Sequence, residues 1–288
     1  MKRAIDKTNE PALVGIVTAI LLIGLIVIVI SIVQIVYVPI IMEQREAEHM
    51  DRVAEQFGFL TSIINNQAAD ERKGIPIASF ITLGSKELPL LVSSKAYGTL
   101  EVLENSFTIA IQNESETKTF LIGEIVYSSA NAYYLDQSYV YEAGAMIVSQ
   151  SQGNKMMARP SFFADYNKTS NIVNISFDVI NISGVGQKTI ASGFGTYGIQ
   201  TQFNDVSTNI IFNDVRNITI GSQFLNSWFV FISSSLKGIG LNPESSPPHF
   251  TLTDTGQFVK LEFQSNLTVN INFKIINILV QIGPGWIQ

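Results

Sequence analysis

An uncharged apolar run from Pro11 to Met42 limits what this chain can fold into more than any other feature. A helix needs about 20 apolar residues to cross the ~30 Å hydrocarbon core of a bilayer, and this run has 32. The apolar core of a cleavable signal peptide is shorter, about 7–15 residues. A helix buried in a soluble domain would carry charges over such a length. The run therefore predicts a transmembrane helix over residues 11–42, preceded by a short N-terminal segment of residues 1–10.

The charges that flank the run predict its orientation. Lys2, Arg3 and Lys7 precede it, whereas the basic residues that follow it are accompanied by acidic ones. Because cytoplasmic flanks of membrane helices are enriched in Lys and Arg, we expect the N-terminus inside the cell and the C-terminal domain outside. Six Asn-X-Ser/Thr sequons beyond the run support this placement and are predicted N-glycosylation sites: Asn113, Asn167, Asn174, Asn181, Asn217 and Asn266.

The helix is predicted to continue beyond the membrane over residues 43–73 as an amphipathic stalk. Apolar residues recur every three or four positions, as in one stripe of a helix: Ala47, Met50, Val53, Ala54, Phe57, Leu60 and Ile64. The opposite face is predicted to be polar, with Glu46, Asp51, Arg52 and Glu55, and Gly74 is the expected stop. The stripe packs either on the chain's own outer domain or against neighbouring helices, with Gln34, Met50 and Phe57 as candidate contacts.

After Ile75 the apolar period changes from about 3.6 to 2, which is typical of strands with one buried face. The alternation is strict over residues 173–179 and 267–275. Shorter runs fit the same pattern at 77–83, 99–103, 107–112, 120–127, 139–149 and 258–263. A short helix is predicted over 223–236, and antiparallel pairing elsewhere. The predicted class is α+β: a long N-terminal transmembrane and stalk helix, then a mostly antiparallel, sandwich-like head over residues 74–288. A division of the head near residue 165 is an alternative.

Residues typical of catalytic or cofactor sites are scarce. The chain has no cysteine, which excludes disulfides and thiolate metal sites. Its histidines, His49 and His249, show no metal-ligand spacing and are interpreted as surface or packing residues. Residues 193–198 match the GxGxxG pattern, but an extended stretch follows them where a helix is required, so we expect a turn. We predict no enzyme, no metal and no cofactor, although a fold can always bring two carboxylates together as an acid pair.

Charge and tyrosine distribution bear on the partners. With 18 Lys and Arg against 24 Asp and Glu, the chain has no broad basic surface, so nucleic acid is not an expected partner. Five of the nine tyrosines fall between Tyr127 and Tyr141. Tyrosine combines contact area with a polar group and suits recognition surfaces, for which Tyr133, Tyr134 and Tyr139 are the candidates. It equally suits the faces of an ordinary sheet.

Three stretches of the first 160 residues resemble the uncharacterised archaeal pilin-like surface proteins of methanogens and haloarchaea, whose N-termini are similar to type IV pilins. They are NEPALVGIVTAILLIG leading into IVYVPIIMEQREAEHMDRVAEQFGFLTSII; GTLEVLENSFTIAI; and GEIVYSSANAYYLDQSYVYEAGAMIVSQ followed by MMARP. The resemblance implies a helix that bundles with copies of itself or other pilin-like subunits, a β-rich head that points outward, and assembly by a membrane platform. It also implies a prepilin-type processing site between Ala4 and Ile5, although charged residues then intervene before the apolar run.

The sequence therefore supports two hypotheses for the function of the protein. The leading hypothesis is a pilin-like cell-surface structural protein, either a filament subunit or a minor pilin, that packs through its N-terminal helix. The alternative is a monomeric, membrane-tethered extracellular module for binding or adhesion, which contacts its target through the Tyr127–Tyr141 region.

Overall fold

The computed structural model describes residues 10–85 and 94–283, and it begins with one continuous helix. Helix α1 spans Glu10–Ile32, a π-helical turn spans Val33–Tyr37, and helix α2 spans Val38–Asp70. The widened turn lies directly before Pro39, whose ring has no N–H to donate and would clash with the carbonyl one turn back. The left-handed Glu71 (φ 52°) ends the helix, and its N–H donates to the Gln67 carbonyl at 3.1 Å. The helix thus ends at Asp70, slightly before the predicted limit of residue 73.

Strands dominate the rest of the described chain, with one short helix among them. In chain order they are β1 Ile77–Thr82, β2 Tyr97–Asn113, β3 Thr117–Ala130, β4 Gln137–Glu142, β5 Ala145–Gln150, β6 Gly153–Ala158, β7 Ser161–Asn167, β8 Ile172–Gly184, β9 Ile190–Gly193, β10 Thr196–Phe212, β11 Val215–Gly221, α3 Leu225–Gly238, β12 Phe250–Asp254, β13 Val259–Phe263 and β14 Thr268–Ile282. The predicted short helix is α3. The GxGxxG match covers the turn between β9 and β10, as predicted, and the chain after it is extended.

The strands form two sheets. One has five strands in the order β1-β10-β14-β8-β7, and the other has nine, with β12-β13-β11-β2-β3-β4-β5-β6 in line and β9 paired with β2. Pairing is antiparallel except between β14 and β8. The predicted α+β class with a mostly antiparallel head is confirmed. Both sheets combine strands from either side of residue 165, because β1 pairs with β10 and β2 pairs with β11.

Two hydrophobic cores hold the head together. The larger lies between the sheets and includes Phe107 from one, Phe273 from the other and Trp228 from α3. The second contains the apolar stripe of α2, with Phe57 at its centre, and side chains of both sheets such as Ile125 and Ile278. Helix α2 therefore belongs to the head as a core element, which is one of the two arrangements that its apolar stripe allowed.

Candidate functional site

The first half of the long helix exposes apolar side chains on every face. Leu21, Ile23 and Ile28 are 68%, 60% and 58% exposed, and none of the most apolar stretch, with mean hydropathy 3.3, is buried. Soluble domains rarely leave apolar patches of this extent in water. Within residues 10–85 and 94–283, this is one helix long and apolar enough to cross a membrane. Gln34 lies in the π-helical turn near the end of this half and is half-buried.

The second half of the helix is covered by the head itself. Met50 and Phe57 are 1% and 0% exposed and pack in the second core, so these two candidate contacts face the head. The stripe packs against side chains of both sheets. Asp51 and Glu55 lie on the exposed face, as predicted.

Glu46 fastens the helix to a loop of the head. It is 0% exposed, and its carboxylate accepts backbone N–H bonds from Ala132 at 3.1 Å and from Tyr133 and Tyr134 at 2.7 Å each. These donors belong to the loop of residues 131–136 between β3 and β4, here called the collar loop. Within the loop, Asn131 donates to the Leu135 carbonyl at 2.7 Å. Short bonds to a carboxylate are the stronger kind of hydrogen bond, so Glu46 holds the collar loop against the helix.

The burial of Glu46 corrects its placement on the polar face of the helix. It lies four residues before Met50, in register with the apolar stripe, and four residues after the buried Met42. A carboxylate at a stripe position is a sequence signal for a buried partner. What the sequence could not supply was the partner, because the three N–H donors are more than 80 residues away.

The tyrosines predicted as a recognition surface pack mainly against the helix. Tyr139 is 5% exposed and its hydroxyl donates to the Met50 carbonyl at 3.3 Å, so its assignment to a recognition surface is wrong. Burial raises the pKa of Tyr139 to about 12. Tyr133 and Tyr134 are half-buried, with Tyr133 packed on Val38 and Met42. The alternation of side chains along β4 directs the ring of Tyr139 toward the helix. A recognition surface would require that ring to be exposed to solvent.

Both histidines have packing roles. His49 is 4% exposed, its Nε2 lies 3.3 Å from the Tyr127 hydroxyl, and burial lowers its pKa. His249 Nδ1 accepts the Asn242 N–H at 3.0 Å, and its ring lies beside Tyr166. In the part of the chain that the structure describes, no group of three or more His, Asp or Glu side chains is placed to hold a metal ion.

A buried carboxyl pair is a titratable cluster that the sequence did not reveal. Glu124 and Glu142 lie opposite each other on β3 and β4, are 2% and 1% exposed, and contact each other. Burial raises the pKa of both groups, and the charge of Glu124 raises that of Glu142 further. Trp228 donates its indole N–H to Glu142 at 2.5 Å and Ser222 donates its hydroxyl at 2.9 Å. The pair therefore holds a proton to higher pH than an exposed glutamate does, and the bonds to Trp228 and Ser222 tie β4 to the start of α3.

Two cavities of about 340 Å³ each meet at Arg159. One lies where α2 ends, between Glu71 and Asp178, and the other between β6 and α3, beside Phe231. Among the described residues, Arg159 forms no ion pair or hydrogen bond. Neither member of the carboxyl pair lines these cavities, so the pair has no substrate-sized space beside it there.

The sequons differ in accessibility. Asn167, Asn174 and Asn266 are exposed, whereas Asn113 and Asn217 are half-buried. Asn181 uses its amide internally, accepting the Gly123 N–H at 2.8 Å and donating to the Asn277 side chain at 2.8 Å. A glycan on Asn181 would be attached to the nitrogen that donates to Asn277. The candidate processing residues, Ala4 and Ile5, lie outside the described residues.

Comparison with known proteins gives the chain a family. The sequence model of DUF7289, a family of unknown function, matches residues 12–209, which is more than half of the 288 residues. The chain belongs to DUF7289. The segment shared with DUF7289 contains the apolar helix, Glu46, the collar loop and the carboxyl pair, and it ends before β11 and α3. No curated protein and no solved structure matches the chain.

Proposed function

We propose that the chain is a single-pass, membrane-anchored structural protein of the cell surface, a pilin-like subunit whose head lies outside the cell. The observation that carries the proposal is the continuous helix from Glu10 to Asp70. Its first half is apolar on all faces and its second half is built into the head core. No flexible linker separates anchor from head, so forces on one pass directly to the other. The basic residues before the apolar run support an N-in orientation.

The partners proposed for this subunit are the membrane and copies of itself or other pilin-like chains, brought together by an assembly platform. Because Met50 and Phe57 are buried in the head, helix packing between subunits is left to residues 13–36. Gly15 and Gly24 in this half have open space around the position of a Cβ atom, so another backbone has room to approach there. Small residues permit such close approach of membrane helices.

Cysteine cross-linking tests the proposal, since the chain has no cysteine of its own. Single substitutions from residue 13 to residue 36, such as Ile16→Cys and Ile23→Cys, are oxidised in native membranes. Within this series, the variants that form disulfide-linked dimers are expected to recur every three or four residues along the helix. No dimer is expected for Leu121→Cys on the head. A chain that leaves the membrane in alkaline carbonate would refute the anchor. Mass spectrometry of the N-terminus tests processing separately, because prepilin-type cleavage leaves Ile5 first.

The alternative is a monomeric, membrane-tethered module for binding or adhesion. The two cavities that meet at Arg159 favour it, because an unpaired guanidinium beside apolar side chains suits a ligand with a carboxylate or phosphate group. The buried tyrosines no longer support it. If every single-cysteine variant stays in the membrane and none forms a dimer, the tethered module replaces the pilin-like subunit.

A further inference from the structure

The apolar part of the helix is longer than the hydrocarbon core it would cross. Leu13 to Met42 is 30 residues, or about 45 Å at ~1.5 Å per residue. The hydrocarbon core of a bilayer is ~30 Å thick, and the whole bilayer with its headgroups is about 40–45 Å thick. The apolar helix therefore matches the full bilayer, and its last turns, Tyr37 to Met42, reach the headgroup layer.

The head begins at that same level. Tyr133 of the collar loop packs on Val38 and Met42, which are 1% and 0% exposed. Glu46 holds the loop in place one turn further along the helix. The head thus covers the helix at the height of the headgroups, and no length of bare helix separates it from the membrane.

The surface around this contact carries exposed apolar and aromatic side chains beside the exposed Glu43 and Asp136. On the helix, Tyr37 and Ile40 are 56% and 59% exposed, and on the collar loop Leu135 is 52% exposed. Aromatic and aliphatic side chains of this kind are enriched where proteins meet the headgroup layer, since they combine an apolar body with tolerance of a wet edge. Continuity with the apolar helix makes lipid the occupant that fits this surface.

We propose that the collar loop, residues 131–136, lies in the lipid headgroup layer of the outer leaflet, with Leu135 in contact with lipid. The inference rests on the proposed membrane anchoring and adds to it a second contact with the bilayer. Two contacts fix the tilt of the head, which a single helix leaves free. In a subunit that packs with copies of itself, a fixed tilt presents the same face to each neighbour.

The opposite end of the head supplies a matched control. Tyr139 bonds the helix at Met50 and Tyr141 bonds it at Asn65, so β4 runs along the helix away from its apolar half. Strand β3 is antiparallel to β4 and carries Leu121, which is 54% exposed. Leu121 is ten residues from the start of the collar loop, or about 30 Å at ~3.3 Å per residue. Leu121 is exposed to nearly the same extent as Leu135, 54% against 52%, and under the proposal it lies far from the membrane.

The test uses nitroxide labels on single cysteines of the full chain, in vesicles of phosphatidylcholine and phosphatidylglycerol. The variants are Leu135→Cys, Leu121→Cys and, within the helix, Ile23→Cys. The ratio of oxygen to nickel-chelate accessibility is expected to be several-fold higher at 135 than at 121, and highest at 23. Equal ratios at 135 and 121, with a lipid-like value at 23, overturn the lipid contact but leave the anchor intact. A water-like value at 23 refutes the proposed anchor itself. Spin–spin broadening at 135 would show that a second copy occupies the surface, which also overturns the proposal.

Discussion

Replacing Glu142 with glutamine should stabilise the protein at neutral and alkaline pH and reduce its pH dependence. The glutamine oxygen still accepts from Trp228 and Ser222, and its amide can donate to Glu124 in place of the shared proton. The variant therefore keeps the hydrogen bonds of the protonated pair and cannot acquire the second charge. Glu124 Oε2 has no hydrogen-bond partner among the described residues. In the variant, this oxygen never faces a second ionised carboxylate.

The sign and size of the effect follow from the raised pKa values of the pair. An unfolded glutamate releases its proton near its ordinary pKa of 4.5, whereas the folded pair retains at least one proton above that pH. The contribution of the pair is fully present below about pH 4.5 and is lost as the pH rises toward the folded pKa. The loss is about 1.4 kcal/mol per pH unit for each proton that the folded pair retains and the unfolded chain has released. Glu142→Gln should recover much of that loss.

Guanidinium unfolding of the full chain in detergent, followed by tryptophan fluorescence, measures the effect. A Trp286→Phe background leaves Trp228, which lies against the pair, as the reporter. Glu244→Gln, an exposed carboxyl in the loop after α3, is the control and should leave the slope of stability against pH unchanged. The reasoning fails if Glu142→Gln loses stability with pH as steeply as the parent chain, or if it is the less stable of the two at about pH 8.

Two further predictions concern the contact between helix and head. Phe57→Ala should destabilise the head by about 3–5 kcal/mol in the same unfolding assay, because it opens a cavity in the second core. Phe59→Ala removes the same ring from a 63% exposed site and should change stability little; similar losses for the two would refute the packing. Glu46→Gln leaves one side-chain oxygen for the three backbone N–H donors and turns its NH2 group toward at least one of them, which should cost about 1.5–3 kcal/mol. Amide exchange at residues 132–134 should accelerate in that variant, and unchanged protection would argue against the junction.

Local spacing in the sequence determined the elements of this protein. A charge-free run longer than a bilayer core predicts the apolar helix, and a stripe of period 3.6 predicts its continuation to residue 73, three residues beyond the observed end. Period-two alternation predicts strands such as β8 and β14, since one face of each is buried. These signals are readable because each depends on residues within a few positions of one another.

Tertiary structure decided what those elements contact. From the sequence, the stripe around Phe57 could pack either on the head or on neighbouring helices. In the structure it packs on the head, against side chains of both sheets. Glu46 is stable in the core only because loop N–H groups from beyond residue 130 reach it, and Glu142 meets Glu124 only through the β3–β4 register. Burial of a carboxylate is tolerable only with donors or a proton to offset its lost hydration. Those partners come from distant parts of the chain. A glutamate in the sequence therefore could not show by itself whether its carboxylate would be buried.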